Sequence, residues 1–205
     1  MEGRVARLVS ALAPTTTIRE GFSVSELDDY RAKMAARFHT FDHDGDGHLT
    51  RQDFQLMAQK AARAFPGPRS DGQDQTAPLA EAADQYWNGM AALADADRDG
   101  RITREEFIGA ALSGMHQDPE GFARIALPWH QAVFTAADHD GDQRVSVAAV
   151  ECMLVALGAD PAQARRVAAE HRTDADGLVT ENEVLSAVAA YYTTSTPQQA
   201  FTMPR

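Results

Sequence analysis

Three times along this chain, aspartates recur at alternate positions: Asp42, Asp44 and Asp46; Asp95, Asp97 and Asp99; Asp138, Asp140 and Asp142. A weaker echo follows at Asp174 and Asp176. Carboxylates this close repel one another in water. Oxygen coordination of a hard divalent cation turns that repulsion into binding. Such a loop wraps twelve residues around the ion. Ligands come from positions 1, 3, 5, 7 (a main-chain carbonyl), 9 and 12, and position 6 favours glycine because the chain turns there with positive φ.

Residues 95–106 meet every requirement: Asp95, Asp97 and Asp99 at 1, 3 and 5, Gly100 at 6, Arg101 at 7, Ile102 at 8, Thr103 at 9 and Glu106 at 12. This is the full EF-hand pattern, and a solvated acidic turn would not explain Gly100, Ile102 and Glu106 together. Residues 42–53 repeat it with Asp42, Asp44, Asp46, Gly47, His48 at 7, Leu49, Thr50 and, at 12, Asp53. The shorter Asp53 arm is expected to give one oxygen where glutamate gives two, which weakens discrimination of Ca²⁺ from Mg²⁺.

The last two loops are impaired. In 138–149, Asp138, Asp140 and Asp142 are present and Ser146 holds position 9, but Gln143 stands at position 6 and Ala149 at position 12. In 172–183, Asp174, Asp176, Thr180 and Glu183 fit positions 3, 5, 9 and 12, but position 1 is Arg172. A guanidinium there opposes a dication, and Arg172 is expected to pair with the loop carboxylates as a structural cation instead. Val145 and Val179 keep position 8 apolar, so the two weak loops can still pair.

These loops need helices on both sides. Leu27, Tyr30, Met34, Phe38 and Phe41 fall at helical spacing, predicting a helix over 25–41. Further helices are predicted over 52–65, 79–94, 104–115, 120–137, 147–157 and 180–192, with Pro128 kinking or dividing the fifth. The fold class is therefore all-α: four helix–loop–helix units in two pairs forming one compact globule, with short strand pairing between loops. The boundaries are an N-terminal extension at 1–24, a first pair at 25–115, a second pair at 119–192 and a tail at 193–205. The N-terminal segment reads as a short amphipathic helix or a loose extension, and Phe201 and Met203 offer the tail a way to fold back.

The net charge of −11 and pI near 5.0 disfavour nucleic acid and anionic membranes as partners. No apolar run reaches the roughly 20 residues of a membrane span. The single cysteine, Cys152, excludes an internal disulfide and is expected to be buried on its helix. A cytoplasmic location fits both features.

Four such units, unevenly spaced, resemble the calerythrin and sarcoplasmic calcium-binding protein family over about 25–192. The resemblance implies two packed EF-hand pairs and a Ca²⁺ buffer or modest sensor. It implies ligand roles for Asp42, Asp44, Asp46, Thr50 and Asp53, and for Asp95, Asp97, Asp99, Thr103 and Glu106. In the family the second loop is usually the degenerate one; here the second is intact and the last two are impaired.

Three functions compete: buffer, sensor with a protein partner, and carrier of a hydrophobic small molecule. Met34, Met57, Met90, Met115 and Met153 would serve a sensor groove or simply fill the core. Photoproteins and luciferin-binding proteins resemble the architecture, and Tyr30, Trp87, Trp129, His130, Phe134, Tyr191 and Tyr192 would line a pocket or pack as ordinary core. His39, His43, His48 and His139 flank loops and are expected to face solvent. No catalytic constellation stands out, so the chain reads as a non-enzyme.

Overall fold

The structure is a computed structural model that describes residues 24–67, 72, 74–118 and 120–193. The expected N-terminal helix and most of the expected tail lie outside the described residues. Among the described residues there are eight helices and four short strands. In chain order these are α1 (Val24–Phe41), β1 (His48–Leu49), α2 (Arg51–Ala64), α3 (Thr76–Ala94), β2 (Ile102–Thr103), α4 (Arg104–Gln117), α5 (Gly121–Ala137), β3 (Arg144–Ser146), α6 (Val147–Ala156), α7 (Pro161–Glu170), β4 (Leu178–Thr180) and α8 (Glu181–Thr193).

Each unit is made by the same local physics. The first residue of the loop closes the entering helix: Asp42 N donates to Phe38 O, Asp95 N to Ala91 O and Asp138 N to Phe134 O, at 2.9–3.0 Å. The residue at position 9 then caps the exiting helix. Thr103 Oγ1 accepts from Glu106 N at 3.2 Å, Ser146 Oγ from Ala149 N at 3.1 Å and Thr180 Oγ1 from Glu183 N at 3.2 Å. A position-9 hydroxyl thus satisfies an amide that the helix start leaves without a partner.

The loops pair through two antiparallel ribbons. In one, His48 faces Thr103 and Leu49 faces Ile102. In the other, Arg144 faces Thr180, Val145 faces Val179 and Ser146 faces Leu178. All four position-8 side chains, Leu49, Ile102, Val145 and Val179, are buried. The ribbon therefore anchors both loops of a pair to the core with one apolar contact each.

The predicted stripe of α1 is buried at Tyr30, Met34, Phe38 and Phe41. Helix α3 packs on α2 and α5, α5 on α8, α1 on α4, and α2 on α6, so contacts run within and between the loop pairs. One apolar core joins all of them, with Leu127 and Leu185 as a small satellite. A chain of rings crosses it: Phe107 on α4 meets Phe122 on α5 at 5.7 Å, and Phe122 stacks on Tyr192 of α8 at 6.2 Å.

Two glycines mark where one element approaches another closely. A Cβ on Gly89 of α3 would lie 2.8 Å from Ile125 Cγ2 of α5. A Cβ on Gly158, which has φ +93°, would lie 2.6 Å from the carbonyl oxygen of Thr40.

Two expectations need correction. Helix α5 runs unbroken across Pro128, so the proline does not divide it. Cys152 is exposed on α6, because the inward-facing residues of that helix are Val150, Met153 and Ala156. No described helix is long and apolar enough to cross a membrane.

Candidate metal centre

In loop 42–53 and loop 95–106 the outer carboxylates converge. Oxygens of Asp42, Asp44 and Asp53 lie within 4.8 Å of one another, as do those of Asp95, Asp97 and Glu106. Position 12 reaches back across the loop in both. Glu106 Oε2 accepts from Thr103 N and Thr103 Oγ1 at 2.8 Å, and Oε1 accepts from Ala96 N at 3.2 Å. Asp53 Oδ2 accepts from Thr50 N at 2.8 Å and Thr50 Oγ1 at 3.0 Å, and Oδ1 accepts from His43 N at 2.9 Å and Asp44 N at 3.3 Å.

The same carboxylate therefore ties both ends of the loop together before any ion is considered. The Thr103 amide holds the Glu106 carboxyl below the usual carboxylate range. An all-oxygen donor set, converging and ionised, suits a hard dication and not a soft one.

Position 1 orders the turn. Asp42 accepts from Gly45 N and Gly47 N at 2.8 and 3.1 Å, and Asp95 from Asp99 N and Gly100 N at 3.2 and 3.1 Å. At position 5, Asp46 Oδ1 accepts from His48 N and Asp99 Oδ1 from Arg101 N, each at 2.8 Å. The Arg101 side chain comes within 3.6 Å of Asp46, the position-5 carboxylate of the partner loop. Gly47 and Gly100 at position 6 have φ +83° and +85°.

His39 and His139 are exposed and His48 is half-buried. His43 departs from expectation. Its Nδ1 lies 2.9 Å from Lys60 Nζ, its Nε2 is enclosed, and burial pulls its pKa down to about 4.

The C-terminal loops differ. Oxygens of Asp138, Asp140 and Asp142 again converge within 4.8 Å. Gln143 occupies position 6 with φ +65°, a backbone region that costs a side-chain-bearing residue energy. Ala149 supplies no oxygen, and Glu151 instead faces Arg165 at 3.3 Å.

Arg172 does not take the expected part. Its side chain is 89% exposed and, among the described residues, pairs loosely with one loop carboxylate, Glu183 Oε2, at 3.8 Å. The cation among the carboxylates is Arg144, at position 7 of the other loop. Its Nε donates to Asp142 Oδ2 at 2.9 Å, and its Nη1 to Asp176 Oδ2 at 2.9 Å and Asp174 Oδ2 at 3.3 Å. Sequence reading missed it because position 7 is read for its carbonyl. The signal was the ribbon register: Arg144 opposes Thr180, which places its side chain beside the partner loop.

The aromatic candidates are buried in the core. Tyr30, Trp87, Trp129, His130, Phe134 and Tyr192 are buried, and Tyr191 is half-buried. Tyr30, Tyr191 and Tyr192 stand around two buried cations of α1. Arg37 Nε donates to Tyr192 Oη at 3.1 Å, Tyr192 Oη shares a hydrogen bond with Tyr86 Oη at 3.0 Å, and Lys33 Nζ donates to Tyr191 O. Burial pulls Lys33 down to about 8. Burial, reinforced by Arg37, pulls His130 down to about 3. The Trp129 indole N–H is buried without a hydrogen-bond acceptor among the described residues.

A groove of about 410 Å³ lies elsewhere, between the end of α3, α4 and the start of α5, with Leu93, Glu106 and Phe122 in its walls. The candidate methionines Met34, Met57, Met90 and Met153 are buried in the core.

Comparison with known proteins places this geometry. The model of the EF-hand domain pair matches residues 31–112. Calerythrin from Saccharopolyspora erythraea is 28% identical over 161 residues, 78% of this chain and 90% of that protein. The solved structure of a Streptomyces coelicolor calcium-binding protein, described with prokaryotic calcium-mediated regulation, is 41% identical with a TM-score of 0.70, covering 80% of this chain and 98% of that one. The Ca²⁺-loaded apo form of the coelenterazine-binding protein from Renilla muelleri shares the fold at 21% identity and a TM-score of 0.54, covering 83% and 91%.

Proposed function

The chain belongs to the EF-hand calcium-binding proteins of the calerythrin and sarcoplasmic calcium-binding kind, and we propose that it takes up two Ca²⁺ ions per chain, at 42–53 and 95–106, as a cytoplasmic buffer with a modest sensor response. The observation that carries this reading is the pair of position-12 carboxylates, Asp53 and Glu106, each already reaching across its loop. Asp42, Asp44, Asp46 and Thr50 would complete the first site, with the His48 carbonyl at position 7. Asp95, Asp97, Asp99, Thr103 and the Arg101 carbonyl would complete the second. Mg²⁺ competes chiefly at 42–53, where Asp53 is short.

The sensor component is supported by the Streptomyces relative, and by Glu106 standing both at position 12 and in the wall of the α3–α4–α5 groove. Calorimetric titration with Ca²⁺ in millimolar Mg²⁺ tests the reading. We expect two ions, falling to one in Asp95→Ala. Three or more would overturn the assignment, and no uptake would overturn the function.

A second reading, a hydrophobic small-molecule carrier, draws on the buried side chains of Tyr30, Trp129, His130 and Tyr192 and on the Trp129 N–H, which has no acceptor among the described residues. Saturable quenching of tryptophan fluorescence by coelenterazine, lost in Trp129→Phe, would favour it. Fluorescence unchanged by the ligand would remove it.

A further inference from the structure

The C-terminal loop pair keeps the EF-hand shape without the sequence to hold an ion in the usual way. Position 12 is missing in 138–149 and position 1 is a cation in 172–183. Both loops are nevertheless closed, and their ribbon is one residue pair longer than that of the first two loops. We propose that Arg144 is the resident cation of this pair. Its guanidinium does between the loops what a bound ion does within each, so the second half is set in its closed form whatever the Ca²⁺ level.

The argument is geometric. One guanidinium presents five donors in a fixed plane and matches carboxylates on more than one edge. Here Nε and Nη2 grip Asp142 Oδ2 of the chain's own loop at 2.9 and 2.7 Å, while Nη1 spans to Asp174 and Asp176 of the partner loop. Asp142 stands at position 5 of one loop, and Asp174 and Asp176 at positions 3 and 5 of the other. All three stand at positions a metal would use, so a metal at either loop competes with the guanidinium for them. Three carboxylates with one cation form a network, which is worth more than an isolated surface pair.

The backbone supports the same closure. Asp174 Oδ1 accepts from Leu178 N and Asp176 N at 2.9 Å, and Glu181 N donates to Gln143 O at 3.1 Å across the ribbon. At the first pair the analogous contact is looser: Arg101 stands 3.6 Å from Asp46 and meets one carboxylate, not three. That site remains free for an ion.

This inference rests on the reading that metal uptake is confined to the first pair, and the test separates the two. Amide hydrogen exchange at 144–146 and 178–180 is measured with EDTA and with Ca²⁺, in the full chain and in Arg144→Gln and Arg144→Lys. In the wild type, protection is expected to be the same in both media. Arg144→Gln is expected to exchange about tenfold faster in EDTA, the loss of one charge-assisted hydrogen bond or more. Arg144→Lys is expected to fall between.

If Arg144→Gln does not fold, the wild type in EDTA at low and high salt decides. Screening should speed exchange at the ribbon. Exchange unaffected by the substitution, or by salt where the variant does not fold, overturns the role of Arg144. Wild-type protection that rises with Ca²⁺, or a calorimetric stoichiometry of three, overturns the reading on which it rests.

Discussion

At the level of single residues, the sites turn on the length of one side chain and the charge of another. Asp53 and Glu106 hold equivalent positions, yet Asp53 is 1% exposed and fully engaged by four donors of its own loop. Restoring glutamate offers a bidentate ligand. Asp53→Glu is expected to raise the Ca²⁺ over Mg²⁺ preference of the first site by about tenfold, read by calorimetry with and without Mg²⁺. An unchanged preference would show that the aspartate already binds through both oxygens. Arg144 shows the opposite case, in which a charge that a metal would repel becomes the organising group.

At the level of elements, each loop couples a helix start to a ligand set. The hydroxyl at position 9 caps the exiting helix, and the residue at position 12 is the third residue of that helix. Capping and coordination thus require the same backbone geometry, so a loop can lose its ion and keep its shape. Loop 138–149 keeps that shape without a carboxylate at position 12, and holds Gln143 in a left-handed conformation. Gln143→Gly should stabilise the protein by up to about 1 kcal/mol, since the relief of positive φ exceeds the extra entropy of the unfolded chain. Equilibrium urea unfolding measures it, and a destabilised variant would mean that the Gln143 side chain contributes more than its backbone costs.

At the level of the whole molecule, the two halves share one core. Gly158, between α6 and α7, meets the end of α1 just ahead of the first loop. Gly158→Ala adds a Cβ at 2.6 Å from a backbone oxygen and in a left-handed conformation. The expected loss is about 2–4 kcal/mol, measured by thermal or denaturant unfolding, because a backbone neighbour cannot rotate away. A loss below 1 kcal/mol, on the order of a surface substitution, would deny the close docking.

The buried cluster beneath α8 gives a pH signature. His130 titrates near 3 in the folded chain and near 6.5 unfolded, so the unfolded state binds the extra proton between those values. Its contribution is fully present above pH 6.5 and is lost as pH falls toward 3. Between pH 7 and 4 in EDTA, His130→Phe is expected to lose about 2–3 kcal/mol less stability than the wild type. Equal losses would show that the imidazole reaches water on protonation.

The sequence by itself determined the local chemistry. Twelve-residue loops carry their own ligand order, turn glycine, apolar anchor and helix cap, so seven of the eight described helices, the ribbons and the converging carboxylates of 42–53 and 95–106 were legible from spacing alone, while α7 was not predicted. Even the strain at Gln143 followed from one residue type in a fixed register. What only the tertiary structure decided concerns groups whose partners lie far along the chain. Arg144 reaches Asp176 across thirty-two positions, and Arg37 reaches Tyr192 across 155. Arg172, read as the substitute cation, points to water, and Cys152, read as buried, faces outward. A loop specifies itself because its ligands share one short stretch of backbone. The pairing of a cation with distant carboxylates depends on how two loops are set side by side, and that is fixed by the packing of the helices that carry them.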